Sequence, residues 1–388
     1  MTIEPIHPTL SAARALQPEL TNRAQEMEDV RRLPADLAAK IAEGGLFRMV
    51  TPAAYGGLEC SPKQIVDAVE AVAEANASAG WCVMIGATTA MNAAYMEPSM
   101  ARQVYDDPHI ITGGVFAPMG KAVVDGDDYI VSGRWQWGSG SANCTWLCGG
   151  AMVFENDELR RLPSGRPDTR MMIFPADEVE LIDTWHVMGL KGTGSGDLAV
   201  SNVRVPKARS VSLVADAPYV DGALYKFPAF GLLSLGVAAA AMGNAKGALN
   251  AFIDLGRVKK NQGSKKTLGE RATVQTEAAK LMAQFRAARA YLHDEIDQTW
   301  DVAQTSEAIP VERRAALRMA CTHVVRTGAD IARTCYDLGG GAALFEASDL
   351  QRRFRDAHAM TQHIVTAPAT WELTGRLLFD LPTDASMV

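Results

Sequence analysis

Three short segments hold the residue types and spacings that could do chemistry. In the first, Gly133-Arg134-Trp135-Gln136-Trp137-Gly138-Ser139-Gly140, two tryptophans stand at strand alternation and a Gly-Ser-Gly turn follows. Alternation sends one indole to each face of a sheet. One can enter a core while the other lies against a flat aromatic ligand. Ser139, flanked by glycines, lets backbone and hydroxyl approach a ligand closely. The same pattern also suits a tight hairpin with core aromatics. The second segment, Gly192-Thr193-Gly194-Ser195-Gly196, is a dense glycine loop. It is not Gly-x-Gly-x-x-Gly, and Leu198-Ala199-Val200 and Val203-Arg204-Val205-Pro206 after it read as strand. That combination argues against a Rossmann site, and the chain has no Walker loop.

The third segment runs Arg355-Asp356-Ala357-His358-Ala359-Met360-Thr361-Gln362-His363. Read as one helix, its two histidines point well apart, so they do not share a metal. Asp356 and His363 are roughly aligned on that reading. His363, followed by Ile364-Val365, is a candidate base facing a pocket. The alternative is a histidine hydrogen-bonded inside a bundle.

These segments need elements to position them, and the chain falls into three zones. From about 8 to 107 the pattern is helical. Ser61-Pro62 opens one helix as cap and first helical residue, and an apolar helix is expected from Trp81 to Tyr95. From about 110 to 212 short β-rich runs alternate with turns such as Asp125-Gly126-Asp127-Asp128. From Phe230 four long helical stretches, 230–256, 268–302, 310–338 and 349–380, suggest a bundle. Helices, a β-domain and a helical bundle make an α+β chain and fit neither a parallel α/β fold nor a sandwich.

Bulk properties narrow the classes. The chain has 388 residues, 48% hydrophobic and 21% charged, which suits a large core rather than disorder. A net charge of −7 and short basic runs disfavour a nucleic-acid binder. Met1 to Ser11 lacks an apolar signal region. No uninterrupted apolar run reaches membrane-spanning length, and Phe230 to Met242 reads as a buried helix. The six scattered cysteines (Cys60, Cys82, Cys144, Cys148, Cys321 and Cys335) lack a zinc pattern. Reduced thiols in a cytoplasmic protein, with no metal, are expected.

Four motifs in order resemble the acyl-CoA dehydrogenase superfamily: Gly45-Leu46-Phe47 with Pro52 and Tyr55-Gly56-Gly57; Tyr129 to Trp135; Met188 to Ser195 with Val203 to Pro206; and Leu338-Gly339-Gly340-Gly341 with Arg352 and Arg355-Asp356-Ala357. The resemblance implies an N-terminal helical domain (1–109), a β-domain (110–215) and a C-terminal four-helix bundle (216–388). The slot where the dehydrogenases carry their glutamate base holds Ile364, preceded by His363, and Gly236 to Ala241 carries no acid either. Without a carboxylate, proton abstraction beside a thioester has no obvious agent.

Trp135-Gln136-Trp137-Gly138-Ser139-Gly140, Gly192-Thr193-Gly194-Ser195 with Asp197, and the His358–His363 segment resemble the flavin-dependent monooxygenase branch, the oxygenase components of two-component systems. That resemblance implies reduced FMN or FAD from a separate reductase, O2, hydroxylation of a small aromatic substrate through a C4a-hydroperoxyflavin, and packing as a homotetramer. It implies Phe116 and Trp137 as walls for the flavin ring, and Gly140, Ser195, Gly339 and Gly340 as further cofactor contacts. Ser139 is implied as a catalytic donor near flavin N5, and His363 as the base. The chain departs from the branch at Asn143, and at Thr88, Thr89 and Asn92, where branch members carry histidines. A dehydrogenase with another base and a non-catalytic flavin carrier remain the alternatives.

Overall fold

The computed structural model describes residues 6–305, 308–385 and 388. Met1 to Pro5, part of the segment inspected for a targeting signal, lie outside the described residues.

Seven helices come first: α1 (Pro8–Asn22), α2 (Ala24–Asp29), α3 (Ala35–Glu43), α4 (Pro62–Ala75), α5 (Ala77–Thr89), α6 (Asn92–Tyr95) and α7 (Pro98–Tyr105). The start of α4 follows from its sequence. The Ser61 hydroxyl accepts from the Gln64 amide while the Gln64 side chain accepts from the Ser61 amide, with Pro62 leading the helix. Such a reciprocal cap contributes about 1 kcal/mol. The expected 81–95 helix is instead two: α5 starts earlier, capped by Asn76 Oδ1 on the Ala79 amide at 3.0 Å, and ends at Thr89.

The β-domain is one mixed, mostly antiparallel sheet. Its strands are β1 (Thr112–Asp125), β2 (Asp128–Trp135), β3 (Trp146–Glu155), β4 (Glu158–Leu159), β5 (Thr169–Pro175), β6 (Glu180–Ile182), β7 (Asp197–Pro206) and β8 (Ser210–Val211). The order is β6-β7-β2-β1-β3-β5-β8, with β4 pairing β3. Among the described strands only β1 and β3 run parallel. Their register jumps from Val115↔Gly149 to Gly120↔Ala151, so Phe116 to Met119 bulge out opposite Gly150. A bulge of this kind re-aims side chains away from the ladder. The sheet buries its own core of Val131, Trp135, Leu147, Phe174 and Leu198.

The bundle consists of α8 (Ala223–Lys226), α9 (Ala229–Val258), α10 (Ala272–Ala303), α11 (Val311–Gly339), α12 (Asp349–Met360) and α13 (Ala369–Leu378). α9 is the hub: α4, α5, α11 and α12 all pack on it. Its run of alanines and glycines lets neighbouring backbones come close. By length and composition α9 could cross a membrane, but 89% of its most apolar window is buried within the protein. The expected 349–380 helix is broken. α12 stops at Met360, a turn follows through His363, a short 3-10 turn spans Ile364–Thr366, and Pro368 precedes α13. His363 therefore lies beyond the helix, and its alignment with Asp356 on one helical face does not hold.

Candidate active site

The two tryptophans of the first segment have separate environments. Trp135 ends β2, is 1% exposed, and donates its indole N–H to the Gly150 carbonyl at 2.7 Å. A Cβ on Gly149 would lie 2.4 Å from its ring, so only glycine leaves the indole its socket. Trp137 lies past the strand end at φ 70° and is 65% exposed. A bulky residue in the left-handed region is uncommon and costs roughly 1 kcal/mol or more. The exposed indole is thus held in a conformation that its side chain disfavours, which makes it a candidate ligand contact.

Ser139 and the second segment meet. The Gly138 amide donates to the Gly196 carbonyl at 2.9 Å, and the Gly140 amide donates to the Thr193 carbonyl at 2.8 Å. The Ser139 and Ser195 hydroxyls are 2.6 Å apart, as are those of Ser195 and Thr193, and the Thr193 hydroxyl donates to the Leu190 carbonyl at 2.8 Å. All three hydroxyl residues are buried. From the other side, the Trp81 indole N–H donates to Ser139 Oγ at 3.1 Å.

Trp81, on α5, also meets His363. The rings stand edge to face, with centroids 5.5 Å apart at 65°. His363 is half-buried, and the Val365 amide approaches its Nδ1 at 3.4 Å, leaving Nε2 for another partner. Burial, and then the Arg318 guanidinium, push its pKa down to about 4, so the ring is neutral at physiological pH. Arg318 in turn donates to the Val365 carbonyl at 2.9 Å, fixing the turn that carries His363.

Asp356 and Arg355 hold the second segment against the bundle. Leu190 takes a left-handed φ of 53°, its amide donates to Asp356 Oδ1 at 2.6 Å, and its carbonyl accepts from Thr193 and from the Trp185 indole. A Cβ on Gly189 would lie 2.2 Å from the Arg355 carbonyl, so this loop sits directly on the α12 backbone. Arg355 reaches Glu28 at 2.8 Å and also donates to the Met188 carbonyl, tying the first and last zones to the loop. Burial raises the Asp356 carboxyl to about 6.

The remaining expected residues divide. Phe116, delivered by the β1 bulge, stands edge to face with Phe230 at the start of α9, centroids 5.3 Å apart. Gly140 takes a φ of 72°, beside Cys82. Gly339 and Gly340 end α11 and face the other end of α9: Lys259 donates to the Gly339 carbonyl, and Leu255 approaches Gly339. Leu255 is 25 residues beyond Phe230 on α9, roughly 38 Å at 1.5 Å per residue. Within one chain the structure therefore does not bring Gly339 and Gly340 to Phe116. The positions that depart from the branch serve structure. Asn143 Nδ2 donates to the Leu33 carbonyl at 2.9 Å, Thr88 Oγ1 to the Met84 carbonyl at 2.7 Å, and Asn92 Nδ2 stands 3.8 Å from Cys148 Sγ.

Trp81, which touches both Ser139 and His363, was not singled out from the sequence. Thr193 and Ser195 had a readable signal, two hydroxyls at alternate positions of one loop. Trp81 had none, because its partners lie 58 and 282 residues away in sequence.

The chain is similar to known proteins over nearly its whole length. The family models described as acyl-CoA dehydrogenase N-terminal domain and C-terminal domain match residues 10–100 and 235–368. An indole-3-acetate monooxygenase of Pseudomonas putida is 28% identical over 95% of this chain and 93% of its own. The flavin-dependent monooxygenase oxygenase subunit HsaA of Mycobacterium tuberculosis is 30% identical over 98% of this chain and 97% of its own. The crystal structure of a 3-HSA hydroxylase from Rhodococcus sp. RHA1 superposes with a TM-score of 0.89, at 28% identity, over 98% of this chain and 99% of that one. The chain belongs to the acyl-CoA dehydrogenase family and, within it, to the flavin-dependent monooxygenase branch.

Proposed function

We propose that this oxygenase hydroxylates a small aromatic substrate, with reduced flavin delivered by a separate reductase. The observation that carries the reading is the side-chain path His363–Trp81–Ser139, which links the candidate base to the candidate flavin contact. The residues present fit a flavin: an exposed indole strained into position, the Ser139 hydroxyl two residues further along the chain, and glycines at 138 and 140 on either side of it. Trp137, Ser139, Gly140 and Ser195 would hold it, with Ser139 toward N5, and Phe116 would close the ring's far edge. When bound, reduced flavin supplies the two electrons that let one atom of O2 enter the substrate while the other leaves as water.

The chain's own residues do the rest. Phe116 with Phe230, and the Trp81 ring beside His363, would supply apolar walls against water. His363 is neutral, so it accepts a hydrogen bond from a phenol or indole N–H and draws electron density into the ring. With a pKa near 4 it is too weak to ionise a phenol outright.

Gly339 and Gly340 complete the picture as contributors to a neighbouring copy's flavin site in a homotetramer. The exposed Leu344 and Phe345 beside them, 70% and 71% accessible in the single chain, are the surface such packing would cover. Size measurement by light scattering of the wild type and of a Phe345→Asp variant tests this: the variant should lose assembly and flavin affinity together.

The function is tested by supplying reduced FMN or FAD from an unrelated reductase and following product and hydrogen peroxide over a range of phenols and indoles. His363→Ala should cut product formation by about 10²–10⁴-fold while flavin oxidation continues as peroxide. Unchanged product formation in that variant would remove His363 from the chemistry.

A further inference from the structure

The three buried hydroxyls form a chain whose direction is fixed at its Leu190 end. An indole nitrogen can only donate and a carbonyl oxygen can only accept. At one end the Leu190 carbonyl takes the single proton of the Thr193 hydroxyl, at 2.8 Å. Across the 2.6 Å contact with Ser195, Thr193 must therefore accept, and the Ser195 proton is spent there. Ser195 then has only lone pairs to offer across its 2.6 Å contact with Ser139, so Ser139 donates. At the other end the Trp81 N–H, at 3.1 Å, fills one lone pair of Ser139 Oγ. The Trp81 contact is compatible with this direction, and the Leu190 carbonyl is what sets it. Ser139 has given away its proton and retains one lone pair for a third partner.

We infer that Trp81, Thr193 and Ser195 are positioning residues that lock the Ser139 hydroxyl as an acceptor, so that the site selects a flavin bearing hydrogen at N5 over one that does not. This rests on the reading above that Ser139 faces N5 of a bound flavin. Reduced flavin carries hydrogen on N5 and donates; oxidised flavin presents a bare nitrogen and would need a donor. Reversing the chain to provide that donor would point the Thr193 hydroxyl away from the Leu190 carbonyl. The direction expected for Ser139 from the resemblance, a donor to flavin, is thus inverted in the resting site. The arrangement would help release oxidised flavin after each turnover and would keep it from competing with the reduced form.

The direction also has a handle outside the flavin contact. In Thr193→Val the acceptor for Ser195 is gone, so Ser195 is free to donate to Ser139. Ser139 then turns its own proton outward. Thr193→Ser keeps the hydroxyl and should keep the direction. One neutral hydrogen bond is worth up to about a factor of ten in affinity.

The test is equilibrium binding of oxidised FMN and FAD in air, and of the dithionite-reduced forms without oxygen, to the wild type and three variants. The wild type should bind the reduced form more tightly. Thr193→Val should lower the ratio of oxidised to reduced dissociation constants by about tenfold, with the oxidised form gaining affinity, and Thr193→Ser should restore the ratio. If Thr193→Val shifts both constants equally, or neither, the directional lock is wrong although the flavin site stands. If Thr193→Val fails to fold, Ser139→Ala decides: reduced flavin should lose about tenfold and oxidised flavin should not change. Equal loss of both, or no loss, overturns the lock. A wild type that binds neither form overturns the flavin reading itself and the lock with it.

Discussion

Trp135 and Trp137 are two residues apart and could hardly be used more differently. Trp135 sits in a socket of glycines with its N–H bonded to the Gly150 carbonyl. Trp137 stands in solvent, 65% exposed, in a backbone conformation that opposes its side chain. The first is what a sheet needs; the second is what a sheet would discard. The difference separates residues that make the fold from residues the fold is built to present. It extends to the wider molecule, where the paired, buried hydroxyls near Ser139 contrast with the uncovered apolar end of the bundle at Leu344 and Phe345.

The comparison can be broken first at Trp135. Trp135→Ala should cost about 3–5 kcal/mol by leaving a cavity and an unbonded carbonyl, read as a lower denaturant midpoint with loss of flavin binding as a consequence. Trp137→Gly should do the reverse. Relieving the left-handed strain should stabilise the protein by about 1 kcal/mol, while flavin affinity falls severalfold. A Trp137 variant that loses stability would mean its ring packs against the protein after all.

Asp356 offers a finer test, because it supports the loop without facing the flavin. Asp356→Ala leaves the Leu190 amide buried and unbonded, a cost of about 1–3 kcal/mol, and Asp356→Asn, which keeps the acceptor, should recover much of it. Thermal unfolding distinguishes the two. Equal melting temperatures for both variants would show that the Leu190 turn holds without this acceptor.

A further test lies in pH. His363, with a pKa lowered to about 4, contributes stability that is present above its ordinary value near 6.5 and is lost as pH falls toward 4. Asp356, raised to about 6, has the opposite sign: its contribution is complete below about 4 and is lost as pH rises through 6. The two slopes oppose each other over one window. In His363→Gln only the Asp356 slope remains of this pair, so between pH 4 and 6 that variant should lose stability relative to wild type as pH rises. A pH profile unchanged by the substitution would place His363 in water.

Much of this was legible in the sequence because it depended on local chemistry. The Ser61 cap, the strand after Gly196 and the start of the long bundle helices follow from residues within a few positions of each other. The loop pairing of Ser139 with Ser195 was readable only as two glycine-rich segments, since distance along a chain says nothing of which loops meet. His363 was identified as a residue but misplaced in its element. The pattern from 349 to 380 keeps helical periodicity through Thr361 to His363, and the break before Pro368 is fixed by Arg318 holding the Val365 carbonyl from another helix. Trp81 was invisible for the same reason: an indole in an apolar helix reads as core until its N–H partner is known.

Oxygen labelling tests the central claim most directly. The protein, reduced FMN or FAD, a set of simple phenols and indoles, and 18O2 should yield a hydroxylated product bearing one labelled oxygen atom, with the second in water. Immediate return of oxidised flavin with only labelled hydrogen peroxide from every substrate, together with bleaching of bound oxidised flavin by an acyl-CoA, would contradict the oxygenase assignment and restore the dehydrogenase one.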